Sequence, residues 1–212
     1  MRLFLSSYRF GADPDRLLSL LGDGDRGPVA VIANAADAWE VGRDSAVVSD
    51  VTPLRRMGFD ARELDLREFV GDAESLRAEL TRQSMVWVRG GNTFVLRAQF
   101  ARSGADVVLP ELLRADALVY AGYSAGACVM SPSLRGLELL DDPAEVGPAC
   151  GTPVIWEGLG LIDQAIVPHF RSPGYGSEET ALIEEVAERY RLAGTPYRTL
   201  TDDDAIVVDT RI

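Results

Sequence analysis

Short apolar runs alternate along this chain with longer amphipathic segments, and that alternation limits the fold more than any other feature. Arg2–Leu5, Val29–Ala33, Met85–Val88, Ala117–Ala121, Ala165–Val167 and Ala205–Val208 read as buried strands, and Glu63–Leu66 as a further one. Asp13-Pro14 supplies an N-cap and a first-turn proline for a helix running to about Leu21. Ser45–Met57 reads as a helix interrupted by Pro53, and Asp72–Gln83 carries Leu76 and Leu80 one turn apart. Thr93–Arg102, Val108–Arg114, Ala125–Met130 and Glu178–Leu192 complete the helices, with a long irregular stretch expected up to about Gly158. Strands separated by helices imply crossover connections, so the expected fold is α/β: a three-layer αβα sandwich around a mostly parallel sheet. No linker, repeat or low-complexity segment divides the 212 residues, which points to one domain over residues 1–212.

Composition removes whole classes of chemistry. All 21 basic residues are arginine, so Schiff-base, Ser-Lys and phosphate-lysine mechanisms lack their amine. His169 is the sole histidine, which excludes a multi-histidine metal cage; no metal and no cofactor is expected. Cys128 and Cys150 form no CxxC pair and read as reduced thiols in a cytoplasmic protein. The net charge of −12 disfavours nucleic acid and anionic membrane as partners, and no apolar run reaches the length of a membrane span.

In a parallel sheet, chemistry collects at the carboxyl ends of the strands. After Ala117–Ala121 comes Gly122-Tyr123-Ser124-Ala125-Gly126, the G-x-S-x-G pattern of a nucleophile elbow. Small residues on both sides of the serine let a strand turn sharply into a helix. The same turn aims the Ala125 N–H at an incoming carbonyl oxygen. The base for Ser124 has to be His169, which ends the run Ala165-Ile166-Val167-Pro168-His169 and is expected at a strand terminus of the same sheet. Gly90-Gly91-Asn92-Thr93 follows another strand and opens a helix, so its backbone N–H groups suit an oxyanion. For the acid, spacing cannot choose among Glu138, Asp141 and Asp142 after the elbow helix and the Asp202-Asp203-Asp204 run before the last strand. The reading leans toward Asp202, with Glu138 and Asp142 as alternatives.

GYSAGA, with GGNTF upstream and PHF downstream, resembles the S51 serine peptidases, the group that includes peptidase E and cyanophycinase. The opening Arg2-Leu3-Phe4-Leu5-Ser6-Ser7-Tyr8 is also similar to that family's first strand. The resemblance implies Ser124 as nucleophile, His169 as base, and Gly91 and Ala125 as the oxyanion hole. For the acid it points two ways: peptidase E to the loop Arg135–Asp142, cyanophycinase to the neighbourhood of Asp202. It further implies hydrolysis of short peptides by an aminopeptidase or dipeptidase, with Asn92 and Arg171 as substrate-binding candidates; a homodimer is compatible with the sequence. An N-terminal aspartate in the substrate would need a cationic partner, and Arg171 and Arg89 are the nearest in sequence. Arginines beside acidic loops more often form structural pairs, so a less acid-specific peptidase is expected. An esterase or amidase with the same elbow, and a catalytically silent small-ligand-binding protein, are the alternative classes.

Three features carry no function in this reading. Gly22–Gly27 matches GxGxxG but follows a helix and precedes a strand, the reverse of a dinucleotide loop. Cys128 reads as core. Trp87 reads as core as well, whereas Trp39 and Trp156 could line a pocket wall.

Overall fold

The computed structural model describes residues 1–22, 26–39 and 41–211. Asp23, Gly24 and Asp25, the middle of the Gly22–Gly27 match, lie outside the described residues. The strands, in chain order, are β1 (Arg2–Ser6), β2 (Pro28–Ile32), β3 (Asp60–Glu63), β4 (Met85–Val88), β5 (Val119–Tyr123), β6 (Ala165–Val167), β7 (Tyr197–Thr199) and β8 (Ala205–Asp209). Six of them form one sheet in the order β3-β2-β4-β5-β1-β8, parallel except for β8, which runs antiparallel to β1.

Side chains alternate across the pleat, and the two faces bury two separate cores. Leu3, Leu5, Ile32, Val86, Val88 and Tyr120 point to one face; Phe4, Val29, Val31, Met85, Trp87, Val119 and Ala121 point to the other. The second face is covered by α1 (Asp15–Leu21) and α2 (Arg43–Arg56) through Leu17, Leu20, Val51 and Leu54. Against the first gather α3 (Ala73–Leu80), α4 (Thr93–Ser103), α5 (Ala105–Arg114), α6 (Ala125–Cys128), α7 (Val146–Cys150) and α8 (Ser177–Ala193). This is the expected mostly parallel sheet between helical layers.

Four expectations are corrected. The strand expected over Glu63–Leu66 lies earlier, at Asp60–Glu63. It is an edge strand in which only Ala61 is buried, so its polarity hid it, while Leu64 and Leu66 are buried beyond its end. Pro53 does not interrupt α2: the carbonyl of Ser49, which a proline N cannot reach, accepts instead from Arg9 Nη1 at 2.8 Å. The stretch before Gly158 is not irregular throughout, for it holds 3₁₀ turns at Leu137–Leu139 and Pro143–Glu145 as well as α7.

The fourth correction matters most for function. The strand that leads to His169, β6, is not in the main sheet; it pairs in parallel with β7, a strand too polar to stand out in the sequence. Val167 lies opposite Thr199, so the chain leaves both strands at the same end, His169 two residues beyond one and Asp202 three beyond the other. Because β8 is antiparallel, with Ser6 opposite Ala205, the residues before it reach the edge where β1 and β5 finish.

At the end of β2 a polar knot ties the sheet to the β3 loop. Asn34 Nδ2 donates to Asp65 Oδ1 at 2.9 Å, Arg67 Nη2 to Asp65 Oδ2 at 2.6 Å, and the Arg43 guanidinium is 3.2 Å away. Burial alone would raise the Asp65 carboxyl, but these partners outweigh it and hold it down at about 2, against an ordinary 3.8. A depressed carboxyl stabilises the fold fully above its unfolded value and loses that contribution as pH falls through the folded one. Asp65→Asn is therefore expected to lower stability by about 2 kcal/mol at pH 7, with the gap to wild type closing between pH 4 and 2 in urea melts.

Candidate active site

The turn after β5 is built by close approach. A Cβ on Gly126 would stand 2.2 Å from the Val88 carbonyl oxygen, and one on Gly122 would stand 2.5 Å from the Gly126 carbonyl oxygen, so neither position admits a side chain. Ser124 between them is held at φ 50, ψ −116, a conformation a non-glycine residue keeps only when its surroundings impose it. Its N–H donates to the Ser6 carbonyl at 3.1 Å, locking the turn to β1. Beneath it, the Tyr123 hydroxyl donates to the buried Asp50 carboxylate, which also accepts from Trp87 Nε1 at 3.3 Å and lies 3.5 Å from Arg89 Nε. Burial pushes the Asp50 carboxyl up against the pull of Arg89.

Ser124 Oγ lies 3.0 Å from His169 Nε2, and His169 Nδ1 lies 2.6 Å from Asp202 Oδ1. Only the tautomer with its hydrogen on Nδ1 gives that carboxylate a donor, and it leaves Nε2 bare to accept from the serine. His169 itself has a left-handed backbone, φ 62. A hydroxyl, an imidazole and a carboxylate in this order can activate the hydroxyl as a nucleophile.

The other two acids stand elsewhere. Glu138 Oε2 accepts from the Gly136 N–H, and Asp142 Oδ1 caps the Ala144 N–H at 2.8 Å; neither hydrogen-bonds to His169. Asp141 accepts from the Thr93 N–H at 2.9 Å, at the start of α4. Gly90 and Gly91 lie beside the serine: a Cβ on Gly90 would come within 2.9 Å of Ser124 Cβ. Ala125 opens α6, where the first N–H groups have no partner within the helix.

Two expected substrate contacts are corrected. Asn92 caps α4, its Oδ1 accepting from the Phe94 and Val95 N–H groups while its Nδ2 donates to the Asp142 carbonyl and Glu145 Oε2, both at 2.7 Å. Its hydrogen-bonding capacity is spent on structure. Arg171 points to solvent, 70% exposed, and pairs with Glu184 at 2.9 Å. Arg89 is the arginine that lines the cavity. That cavity, about 680 Å³, is bounded by Tyr8, Trp39, Arg89, Gly90, Gly91, Ser124, His169 and Tyr175 together with the acids Asp141, Asp142, Glu145 and Glu179. Trp39 thus stands at the wall, whereas Trp156 packs edge-on against Phe94 away from it.

The sequence profile of peptidase family S51 matches residues 16–211. The chain belongs to this family. An uncharacterized peptidase of Listeria innocua, Lin0382, is 30% identical over 119 residues, 56% of this S51 chain and 54% of that protein. Peptidase E of Streptomyces coelicolor is 36% identical over 114 residues, 54% of this chain and 42% of that one. The S51 chain thus matches only about half the length of these two curated relatives. In three dimensions the likeness is wider. A 1.5 Å crystal structure of a Listeria monocytogenes protein that carries a provisional peptidase E name superposes with a TM-score of 0.77 at 23% identity, covering 100% of this chain and 95% of that one. A peptidase from an acI-B1 actinobacterium superposes with a TM-score of 0.64 at 18% identity, over 98% and 82% of the two chains. At these identities the structures establish the shared fold.

Two residues in contact with His169 escape sequence reasoning. Ser7 Oγ accepts the His169 N–H at 2.7 Å and donates to Asp202 Oδ1 at 3.0 Å. The Tyr175 oxygen lies 2.7 Å from His169 Nδ1. Ser7 carries one usable signal, its place just past the carboxyl end of a strand; Tyr175, in a loop, carries none. Gly91→Ala tests the turn beside Ser124. With φ 145 and a Cβ 2.5 Å from the Ala35 carbonyl oxygen, the alanine is expected to destabilise the fold by at least about 2 kcal/mol, read as a lowered Tm.

Proposed function

We propose that this S51 chain is a serine peptidase that hydrolyses short peptides, in which Ser124 is the nucleophile, His169 the general base and Asp202 the acid of a triad. The observation that carries the reading is the unbroken contact from Ser124 Oγ to His169 and on to Asp202, at 3.0 and 2.6 Å, on the wall of the cavity. His169 Nε2 takes the serine proton as Oγ attacks the peptide carbonyl, and the N–H groups of Gly91 and Ala125 receive the oxyanion. The imidazolium, held by Asp202, returns the proton to the leaving amine. Water then attacks the acyl-enzyme by the same route in reverse.

The charges of the cavity favour a substrate with both ends free. Asp141, Asp142, Glu145 and Glu179 suit an α-ammonium group, and Arg89 suits a carboxylate. A volume near 680 Å³ fits a dipeptide or tripeptide and excludes a folded protein. Arg89 is taken by the substrate's terminal carboxylate in this reading and Arg171 is paired with Glu184, so neither is left for an aspartyl side chain. The specificity proposed is accordingly broader than N-terminal aspartate.

Ser124→Ala is expected to keep the fold and abolish hydrolysis across a panel of Xaa-Leu and Asp-Xaa dipeptides, assayed beside p-nitrophenyl esters. Full activity in the variant would end the serine reading, and cleavage of the esters alone would make the protein an esterase. Reaction of wild type with a fluorophosphonate, absent in the variant, separates an enzyme from a silent binding protein.

Burial pushes the Asp141 carboxyl up to about 6, despite the hydrogen bond from Thr93. It is neutral at pH 5 and charged at pH 7, while a peptide ammonium is charged at both. KM for dipeptides should therefore fall about threefold from pH 5 to 7, the size of a partly solvated ion pair, and Asp141→Asn should flatten that change.

A further inference from the structure

His169 has two oxygens at the same nitrogen. Asp202 Oδ1 is 2.6 Å from Nδ1 and the Tyr175 oxygen is 2.7 Å from it, although Nδ1 carries a single hydrogen. The Tyr175 ring also lies along the imidazole, with centroids 4.9 Å apart and planes tilted by 33°. Tyr175 belongs to the loop between β6 and α8, where His169, Arg171 and Gly174 all have left-handed backbones. Such a conformation at two non-glycine residues persists only where contacts over-determine it. Glu179 helps to fix the far end of the loop, its Oε2 accepting the Gly176 N–H at 2.9 Å.

We propose that Tyr175 is a positioning residue for His169: its hydroxyl oxygen shares the Nδ1 hydrogen with Asp202 in a three-centre bond, and its ring bars imidazole rotation and water at that edge. The inference rests on the proposed triad, in which the ring must hold one tautomer and one orientation while Nε2 exchanges a proton with Ser124. A charged carboxylate is the stronger acceptor, so Asp202 decides which nitrogen bears the hydrogen. Tyr175 takes the outer share of the bond and occupies the place from which water would compete for it. Burial and the Asp202 charge both push the Tyr175 hydroxyl above its usual range, so it remains a neutral phenol throughout the working pH. The nearest other polar oxygen, Ser7 Oγ, is 3.4 Å from Nδ1 and already serves the His169 N–H and Asp202.

The sole histidine makes the test direct, because ¹⁵N-histidine labelling gives one imidazole spin system. The ring is to be observed by NMR in wild type, Tyr175→Phe and Tyr175→Ala, and kcat and KM measured on a dipeptide that wild type cleaves. In Tyr175→Ala the Nδ1–H resonance should disappear into exchange with water, and kcat should fall about tenfold or more with KM within about twofold. Tyr175→Phe keeps the stacked ring, so its resonance should persist at a shifted position and kcat should recover part of the loss. An unchanged resonance in both variants would overturn the proposal, and so would a change confined to KM, which would make Tyr175 a substrate-contacting wall. If Tyr175→Ala fails to fold, Tyr175→Phe decides alone: an unshifted resonance refutes the shared hydrogen bond. The NMR reading needs no turnover, so loss of the peptidase reading and loss of this one are told apart.

Discussion

One serine side chain joins the two sheets of this protein. Ser7 sits just past β1, in the main sheet, and is fully buried; through a single Oγ it accepts from the backbone of His169 and donates to the carboxylate of Asp202, both carried by the small β6–β7 sheet. A hydroxyl can do both because it has one hydrogen and two lone pairs. Ser124 Oγ and His169 Nε2, 3.0 Å apart, tie the same two bodies at the place where they meet. The packing of β6 into the core on the α6 side sets the distance between the sheets, and Ser7 sets their alignment at this edge.

The register of β6 on β7 does the rest. Two parallel strands that end together present the residues that follow them side by side, so His169 and Asp202 meet despite a sequence separation of 33. The antiparallel β8 then returns the chain into the main sheet beside β1. Had β8 been parallel, the acidic run before it would have emerged at the opposite edge, far from the serine. Topology of this kind decides which carboxylate is near an imidazole, and no local spacing encodes it.

That explains which parts of the site were legible. Ser124 was readable because a strand-to-helix turn needs small residues at fixed offsets, and His169 because the chain holds no other imidazole. The strands β1, β2, β4 and β5 were readable because burial on both faces makes them short continuous apolar runs. Asp202 could be only one of several acids, since its partner strand β7 is short and polar and the direction of β8 leaves no mark on its own sequence. Asn92 and Arg171 misled for a common reason: polar residues beside a motif look available until their partners are known. Asn92 is consumed by the start of α4 and the 142–145 turn, and Arg171 by a glutamate on α8. Edge strand β3 was misplaced because its sequence, Asp-Ala-Arg-Glu, has almost nothing to bury.

The two ends of the Ser124–His169–Asp202 chain are held by different means. The serine end is wedged among backbone atoms, where one added methyl would overlap the Val88 carbonyl, so any drift there must be repaid by moving a central strand. The carboxylate end stands on residues 200–204, a turn between β7 and β8 anchored by the buried Leu200 and by backbone hydrogen bonds from Ser7 to Asp204 and from Ala12 to Asp203. A residue added to this turn, or an acid a methylene longer, would act directly on the buried Ser7 hydroxyl that holds Asp202. The architecture thus fixes the serine by packing and the carboxylate by hydrogen bonds, so a change in the length of the 200–204 turn would have to be matched at Ser7, at Ser172 and in the loop at Ala12.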